Sequence, residues 1–362
     1  MIRINSFIYL FIICIACSCG RSKDNKPTGE THVSFTGKKS KYKFDFYRNI
    51  NYNLKQLQQV DFDLGQLIEI KAFGDQLVGL DYKASKLFFF NSKLDTAFTF
   101  GTAGDGPNEN NGIMSYEYAD KKLTLYDFGH RSLKKYQFNS NNKDSLLYNY
   151  RFVNGTLIYR AIHLSENTYM YTNPLDKVSD LLFQVIDSTE NKSLFKQSIY
   201  GLIGLKNPIK FPEMALDGNF LSNPNSKFIV YSCSYAGTFL SFQRSDPKKI
   251  SFNKTIDKTP VPIAAYKTIA PGTSHLEISP STTFFPSSAL SKNNLYLLNK
   301  ITDDNSYVVD YYDLAQSGKY QGSFYIPKLD DGQEATSIAV IGQSIYVLYE
   351  DLALVKYSMI KV

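Results

Sequence analysis

Within five residues, Asp127-Phe128-Gly129-His130-Arg131 brings together a carboxylate, an imidazole and a guanidinium. A guanidinium can hold a carboxylate through two parallel N–H bonds, and an imidazole can shuttle a proton near neutral pH. His130 and Arg131 are therefore candidate ligand-binding residues. Asp105 and Glu109 join them from the nearby Gly-rich stretch Phe98–Glu109, FTFGTAGDGPNE. Each has a structural alternative. Asp81 stands 46 residues before Asp127 in the same local pattern, so Asp127 can instead make the side-chain-to-backbone bond that closes an Asx-type turn. Asp105 and Glu109 are either a pocket rim or an exposed turn. No residue is assigned a catalytic role.

Other chemistries fit less well. Gly101, Gly104 and Gly106 match neither G-x-x-x-x-G-K-[ST] nor G-x-G-x-x-G, and no amphipathic helix follows them. They read as glycines that let the backbone turn into the next unit. His32, His130, His163 and His275 are widely spaced, and there is no H-E-x-x-H, no paired Cys and no acidic EF-hand loop. No metal and no cofactor is expected; the alternative is an ion site assembled across repeats near the central channel. There is no G-x-S-x-G, and no Cys sits beside an evident base. Dispersed Asp, Glu, Tyr, His and Arg could still act together, and spacing would not reveal it. Net charge is +6, but no basic run with interleaved aromatics and no nucleic-acid motif occurs, so nucleic acid is not an expected partner.

The elements that must position these residues repeat. Gln76–Asp81 and Lys86–Phe90 recur as Lys122–Asp127 and Ser132–Tyr136. Leu77 aligns with Leu123, Asp81 with Asp127, Leu87 with Leu133 and Phe90 with Tyr136, each 46 residues apart. Short alternating runs between turn residues read as strands, and such a period signals an array of supersecondary units. Thr168–Tyr171, Phe228–Tyr231, Leu295–Leu298 and Ile345–Tyr349 continue the same strand. The fold class is all-β: a six-bladed β-propeller, with seven blades as the alternative count. Wider spacing in units three to five predicts insertions at Ile199–Asn223 and Thr255–Leu290, the second stiffened by five prolines. Part of Tyr42–Gly65 is expected to close the ring against the final strand pattern, Leu352–Val362; Tyr42–Tyr47, YKFDFY, is one candidate. Heavy use of Tyr (27) and Phe (26) without Trp suits packed sheets.

The hairpin pattern of Asp81, Leu87 and Phe90, repeated in Asp127, Leu133 and Tyr136, resembles that of NHL-type propellers. The FGTAGDGPNE connector is similar to the FG-x-x-G-x-GP-x-E connector that follows the first blade in TolB-like six-bladed propeller lipoproteins of Bacteroidota. The resemblance covers most of the chain after about residue 60. It implies a cell-envelope propeller, of a family without a settled biochemical activity.

The N-terminus reads as a targeting signal. Arg3 precedes the apolar run Phe7–Ala16, which is too short for a spanning helix. The following CIACSCG resembles a bacterial lipobox. Ala16 precedes Cys17 and Ser18 precedes Cys19, so Cys17 is the expected lipidation site and Cys19 the alternative; secretion without lipid is a third reading. Several acyl chains on one Cys would anchor the protein to a membrane, since each buried CH₂ contributes ~0.8 kcal/mol. Three of the four Cys lie here, and Cys233 reads as buried and inert. The expected organisation is a signal peptide over 1–16, a polar tether over 17–41 and a propeller over 42–362. The expected location is the outer membrane, through the lipid. The expected role is a binding or scaffold module for a glycan, a peptide or an envelope protein. The rival is a polysaccharide-acting hydrolase or lyase with its site near the central channel. Ionisable groups with shifted pKa values in a central cleft would favour the rival; an aromatic face without them would favour binding.

Overall fold

The computed structural model describes residues 29–36, 43–62, 67–106, 109–139, 141, 144–152, 158, 160–165, 167–174, 181–190, 192–203, 212–270, 273–279, 283–302, 307–329, 332–350 and 353–362. The apolar N-terminal run, Cys17 and Cys19 lie outside the described residues. No helix among the described residues is long and apolar enough to cross a membrane.

The fold is a β-propeller. Among the described residues there are six antiparallel sheets of four or more strands and one two-stranded hairpin. Five sheets, here blades 1 to 5, run consecutively through 67–100, 113–151, 160–198, 218–254 and 287–326; the sixth joins 335–361 to a strand from the N-terminal region. The innermost strands are Leu67–Phe73, Ile113–Ala119, Arg160–Ser165, Gly218–Leu221, Ser287–Ser291 and Ala335–Ile341. They touch in that cyclic order, the last against the first. The strand recognised in the sequence as a repeat is the second strand of every blade, beginning with Gln76–Asp81 and Lys122–Asp127. It is buried on both faces, as in Ile345–Tyr349, so it reads as a near-continuous apolar run and stands out. Gly79 leaves room for its neighbours: a Cβ there would lie 3.0 Å from the Phe90 ring and 3.1 Å from Leu67.

Aromatic rings fill the space between blades. Phe89 stacks on Phe98 at 4.2 Å and meets Tyr118 and Phe138 edge-on at 5.0 and 5.9 Å, joining blades 1 and 2. Such pairs contribute about 0.5–1.5 kcal/mol beyond their buried area.

Each innermost strand has a partner on one side only. Its other edge faces the channel, where unpaired buried amides and carbonyls are costly. Side chains from the neighbouring blade answer them. Ser287 Oγ accepts from Ile338 N and Ser337 Oγ from Ile70 N, both at 3.0 Å. Glu117 accepts from His163 N at 2.9 Å, and the Ser115 hydroxyl donates to Ala161 O. Arg160 Nε donates to Gly218 O at 3.1 Å and Asn223 Nδ2 to Leu290 O at 3.0 Å. At the junction of blades 1 and 2, Lys71 Nζ lies 4.6 Å from the Tyr116 ring centroid.

Tyr52–Asp61 closes the ring, pairing antiparallel with Ala353–Lys361 along its length. This corrects the expectation for Tyr42–Tyr47. Those residues alternate well because most of them enter a different pairing: Lys43–Ile50 is antiparallel to Gly29–Thr36 and meets blade 5 at a single parallel bridge, Ile50 to Ser323. Gly29–Thr36, within the segment read as a tether, is thus a strand. The insertions are also shorter than expected. Gly218–Leu221, inside the first range read as a loop, and Ser287–Ser291, which begins inside the second, are innermost strands of blades 4 and 5. What remains between those blades includes the hairpin Ile263–Ala270 with Thr273–Ser279.

Lys43–Ile50 wedges between blades 4 and 5. Phe44 joins the apolar cluster there. Arg48, 1% exposed, pairs with Asp310 through Nε at 2.8 Å and Nη2 at 3.1 Å, and donates through Nη1 to Ile301 O at 2.5 Å. Burial works against the guanidinium charge, but Asp310 together with Asp257 and Tyr320 outweighs it, so the Arg48 pKa is raised. Ser323 and Asn299 donate to the same Asp310 carboxylate at 2.6 and 2.7 Å. Removing one member of a buried pair strands the other charge, at about 3–5 kcal/mol. Arg48→Ala and Asp310→Ala should each lower the urea-unfolding free energy by about that much, and the double variant by less than the sum. Additive losses would show that the two side chains do not act as a pair.

Candidate functional site

In an antiparallel four-stranded blade, four features share one face of the ring. They are the start of the innermost strand, the turn between strands two and three, the end of the outermost strand and the connector to the next blade. Hydrogen bonds tie them together: Phe128 N donates to Gly112 O at 2.9 Å, Gly129 N to Asn111 O at 2.7 Å and Gly112 N to Ser85 Oγ at 3.0 Å.

On this face the channel opens into a cavity of about 330 Å³. All six innermost strands line it, five of them through residues near their start: Ile68 and Glu69, Ile113 and Met114, Arg160, Ser287 and Ser288, Thr336 and Ser337, with Asn219 and Leu221 from the four-residue strand of blade 4. Leu80, Tyr82 and Pro286 complete the wall. Its charges arrive paired. Arg160 donates to Asn219 Oδ1 at 3.2 Å and lies 3.3 Å from Asp217. Burial pushes the Asp217 carboxyl up while Arg160 pulls it down; the net shift is upward. Glu69 lies 3.0 Å from Lys71.

Further along the same strands the channel narrows to a cavity of about 30 Å³. Glu117 lies here, 16% exposed. One carboxylate oxygen accepts from His163 N; the other accepts from the Ser222 hydroxyl and lies 3.7 Å from Arg244. Burial pushes its pKa up to about 7, against the opposing pull of Arg244 and the His163 amide. Both oxygens serve to hold blades 3 and 4 to blade 2.

The residues singled out in the sequence sit on the rim between blades 1 and 2. Asp127 is fully buried and closes its turn as expected: Oδ1 accepts from His130 N at 3.2 Å, as Asp81 Oδ1 does from Ala84 N at 2.9 Å. The matching residues Arg131 and Ser85 take left-handed φ values of 49° and 46°. Asp127 also does more. Its Oδ2 lies 2.7 Å from His130 Nδ1 and 2.8 Å from Lys134 Nζ. Lys134 spends its three N–H donors on Asp127, Glu109 O at 2.6 Å and Asn110 Oδ1 at 3.1 Å. Lys134 Nζ also lies 3.3 Å from His130 Nδ1. With a proton on Nδ1 that atom donates to the Asp127 carboxylate, and Nε2 lies 3.4 Å from Asp105 Oδ1. Asp105 and His130 come together. Glu109 instead folds back onto its own connector, accepting from Gly106 N at 2.8 Å. Arg131 is exposed, with no side-chain hydrogen bond or ion pair among the described residues.

Arg160, Glu69, Glu117 and Lys134 escaped the sequence reading, although the repeat carried a signal for two of them. Lys134 stands 46 residues after Phe88, and Lys71, Glu117 and His163 are successively 46 apart. Ionisable residues at one level of the repeat share one level of the channel. No group of three or more His, Cys, Asp or Glu placed to hold a metal ion occurs among the described residues.

No protein-family model and no curated protein matches the chain. Solved structures do. A DUF4221-family member from Bacteroides vulgatus is 11% identical with a TM-score of 0.51, over 86% of this chain and 99% of that one. A protein from Bacteroides fragilis described as exported is 11% identical with a TM-score of 0.47, over 86% and 95%. Virginiamycin B lyase from Staphylococcus aureus is 11% identical with a TM-score of 0.45, over 85% and 100%. At such identity the first shows the fold alone, and the two below 0.5 add no argument.

The raised Glu117 pKa has a definite sign. Between about 4.5 and 7 the native chain keeps a proton that the unfolded chain has released. Stability should therefore fall as pH rises through that window, by on the order of 3 kcal/mol. Glu117→Gln should flatten this slope in urea titrations at several pH values; an unchanged slope would assign it to other groups. Lys134→Met should cost about 3–5 kcal/mol by taking the ammonium away from the buried Asp127 carboxylate. It should also speed amide exchange at Gly104 and Asn110, whose bonds, Gly104 N to Asn110 O and Asn110 N to Thr102 O, hold the connector.

Proposed function

We propose that this chain is a ligand-binding β-propeller of the cell envelope that seats its ligand at the wide end of the central channel. A lipid on Cys17, or on Cys19, would tether it to the outer membrane. The observation that carries the binding role is the cavity of about 330 Å³ walled by all six innermost strands. It lies within the range of about 300–1,000 Å³ usual for ligand pockets. The envelope location is supported by the lipobox pattern and by the TolB-like connector.

The arrangement favours binding over hydrolase or lyase chemistry. Glu69 is the one carboxylate among the residues lining the mouth, and Lys71 pairs with it. Glu117, whose pKa is poised for proton transfer, is enclosed in the narrow part and engaged in strand-to-strand bonds. A glycan, a peptide or a segment of an envelope protein would each use the mouth.

Thermal unfolding of the full chain against envelope glycans, peptidoglycan fragments and short peptides tests this. A ligand of the native state at ~100 times its Kd adds about 2.7 kcal/mol, a measurable shift. Ser288, in the cavity wall, provides the control. Ser288→Phe should fill the mouth and abolish the shift, and its ligand-free melt, recorded alongside, shows that the variant folds. A shift that survives Ser288→Phe would put the ligand elsewhere.

A further inference from the structure

Tyr82 and Phe128 are 46 residues apart and follow the turn-closing aspartates Asp81 and Asp127. Both aromatic rings face outward, 41% and 38% exposed, while the residues before them are buried. They flank Gly112, whose φ is +88°. A Cβ there would lie 3.5 Å from the Tyr82 hydroxyl and 3.9 Å from Phe128 Cβ. Turns fixed by an aspartate and a left-handed residue set the backbone that carries both side chains. Tyr82 also lines the mouth cavity.

The charges of the mouth are matched: Arg160 with Asp217, and Glu69 with Lys71. A ligand with net charge would gain from one member of each pair and be opposed by the other. An uncharged ligand rich in hydroxyls can donate to the carboxylates and accept from the guanidinium without disturbing either balance. The rings add a second requirement. Their negative π faces favour a ligand surface of slightly positive C–H groups. A pyranose ring meets both conditions, with hydroxyls around its edge and C–H groups on its face.

We propose that the channel mouth binds a neutral saccharide, stacked against Tyr82 and Phe128 and hydrogen-bonded by Arg160, Asn219 and Glu69. This rests on the channel-mouth reading above and names the ligand class for that site.

The test is calorimetric titration of the full chain, in a detergent without a sugar headgroup. The neutral probes are maltose, cellobiose, mannobiose and N,N′-diacetylchitobiose. Digalacturonate and glucosamine serve as the anionic and cationic counterparts. At least one neutral disaccharide should bind saturably. Ser288→Phe should abolish that binding, and Tyr82→Ala and Phe128→Ala should each weaken it roughly fivefold. Tyr82→Phe should retain most of it. Both aromatic side chains are part-exposed, and the melts of the alanine variants, recorded alongside, show that each folds. Saturable binding of the charged counterparts alone, lost in Ser288→Phe, would overturn the neutral class while leaving the channel-mouth site standing. Neutral binding indifferent to both alanine substitutions would overturn the stacking, and so the proposal. No binding by any neutral probe would overturn it as well. Binding that survives Ser288→Phe would defeat the channel-mouth reading itself.

Discussion

Among the described residues, every innermost strand in this ring has one edge with no strand beside it, and the rest of the structure follows from how that edge is satisfied. Backbone amides and carbonyls facing a narrow channel cannot be left without partners. Serines, an arginine, an asparagine and a glutamate on neighbouring blades supply them, as between Ser337 and Ile70 or Glu117 and His163. The same side chains make the channel wall polar. A chain whose sheets pack through Phe and Tyr rings therefore presents hydroxyls and paired charges at its axis.

These cross-blade bonds need a closed ring. Closure comes from Tyr52–Asp61 pairing with Ala353–Lys361, which ties the beginning of the propeller to its end and covers an exposed sheet edge. Blades 6 and 1, which this closure helps hold together, both contribute to the mouth, through Thr336, Ser337 and Glu69. The preceding strand adds a second clasp. Arg48 enters the seam between blades 4 and 5, where Asp310 receives it along with Asn299 and Ser323. The segment ahead of the ring thus reaches three blades, and the geometry of the mouth depends on contacts far from it.

Much of the fold was legible because the second strand of each blade is buried on both faces and keeps its apolar character through all six units. The turn role of Asp127 was legible for a related reason: Asp81 repeats it at the same offset. The closing strand was harder to identify. YNLKQLQQVD is an outermost strand with mostly exposed side chains, so its pattern is diluted, whereas YKFDFY alternates more cleanly and belongs largely to another pairing. The innermost strands of blades 4 and 5 were hidden among prolines and polar residues, since Gly218–Leu221 is only four residues long. The mouth was the least legible. Its residues come one or two from each blade, and Arg160 and Glu69 carry no motif; only their place at the start of an innermost strand brings them together. The rim cluster was half visible. Asp105 and His130 were singled out separately, one in the connector and one in the turn, and only the fold brings them together. Lys134, which organises that cluster, looked like an ordinary strand lysine until set against Phe88 in the repeat.

The most direct measurement is a crystal structure of the chain grown with the neutral disaccharides. The account predicts density for a sugar ring in the channel mouth, between Tyr82 and Arg160 and within reach of Ser288. Ordered sugar found only away from the mouth, on the outer strands or on the hairpin between blades 4 and 5, would contradict it.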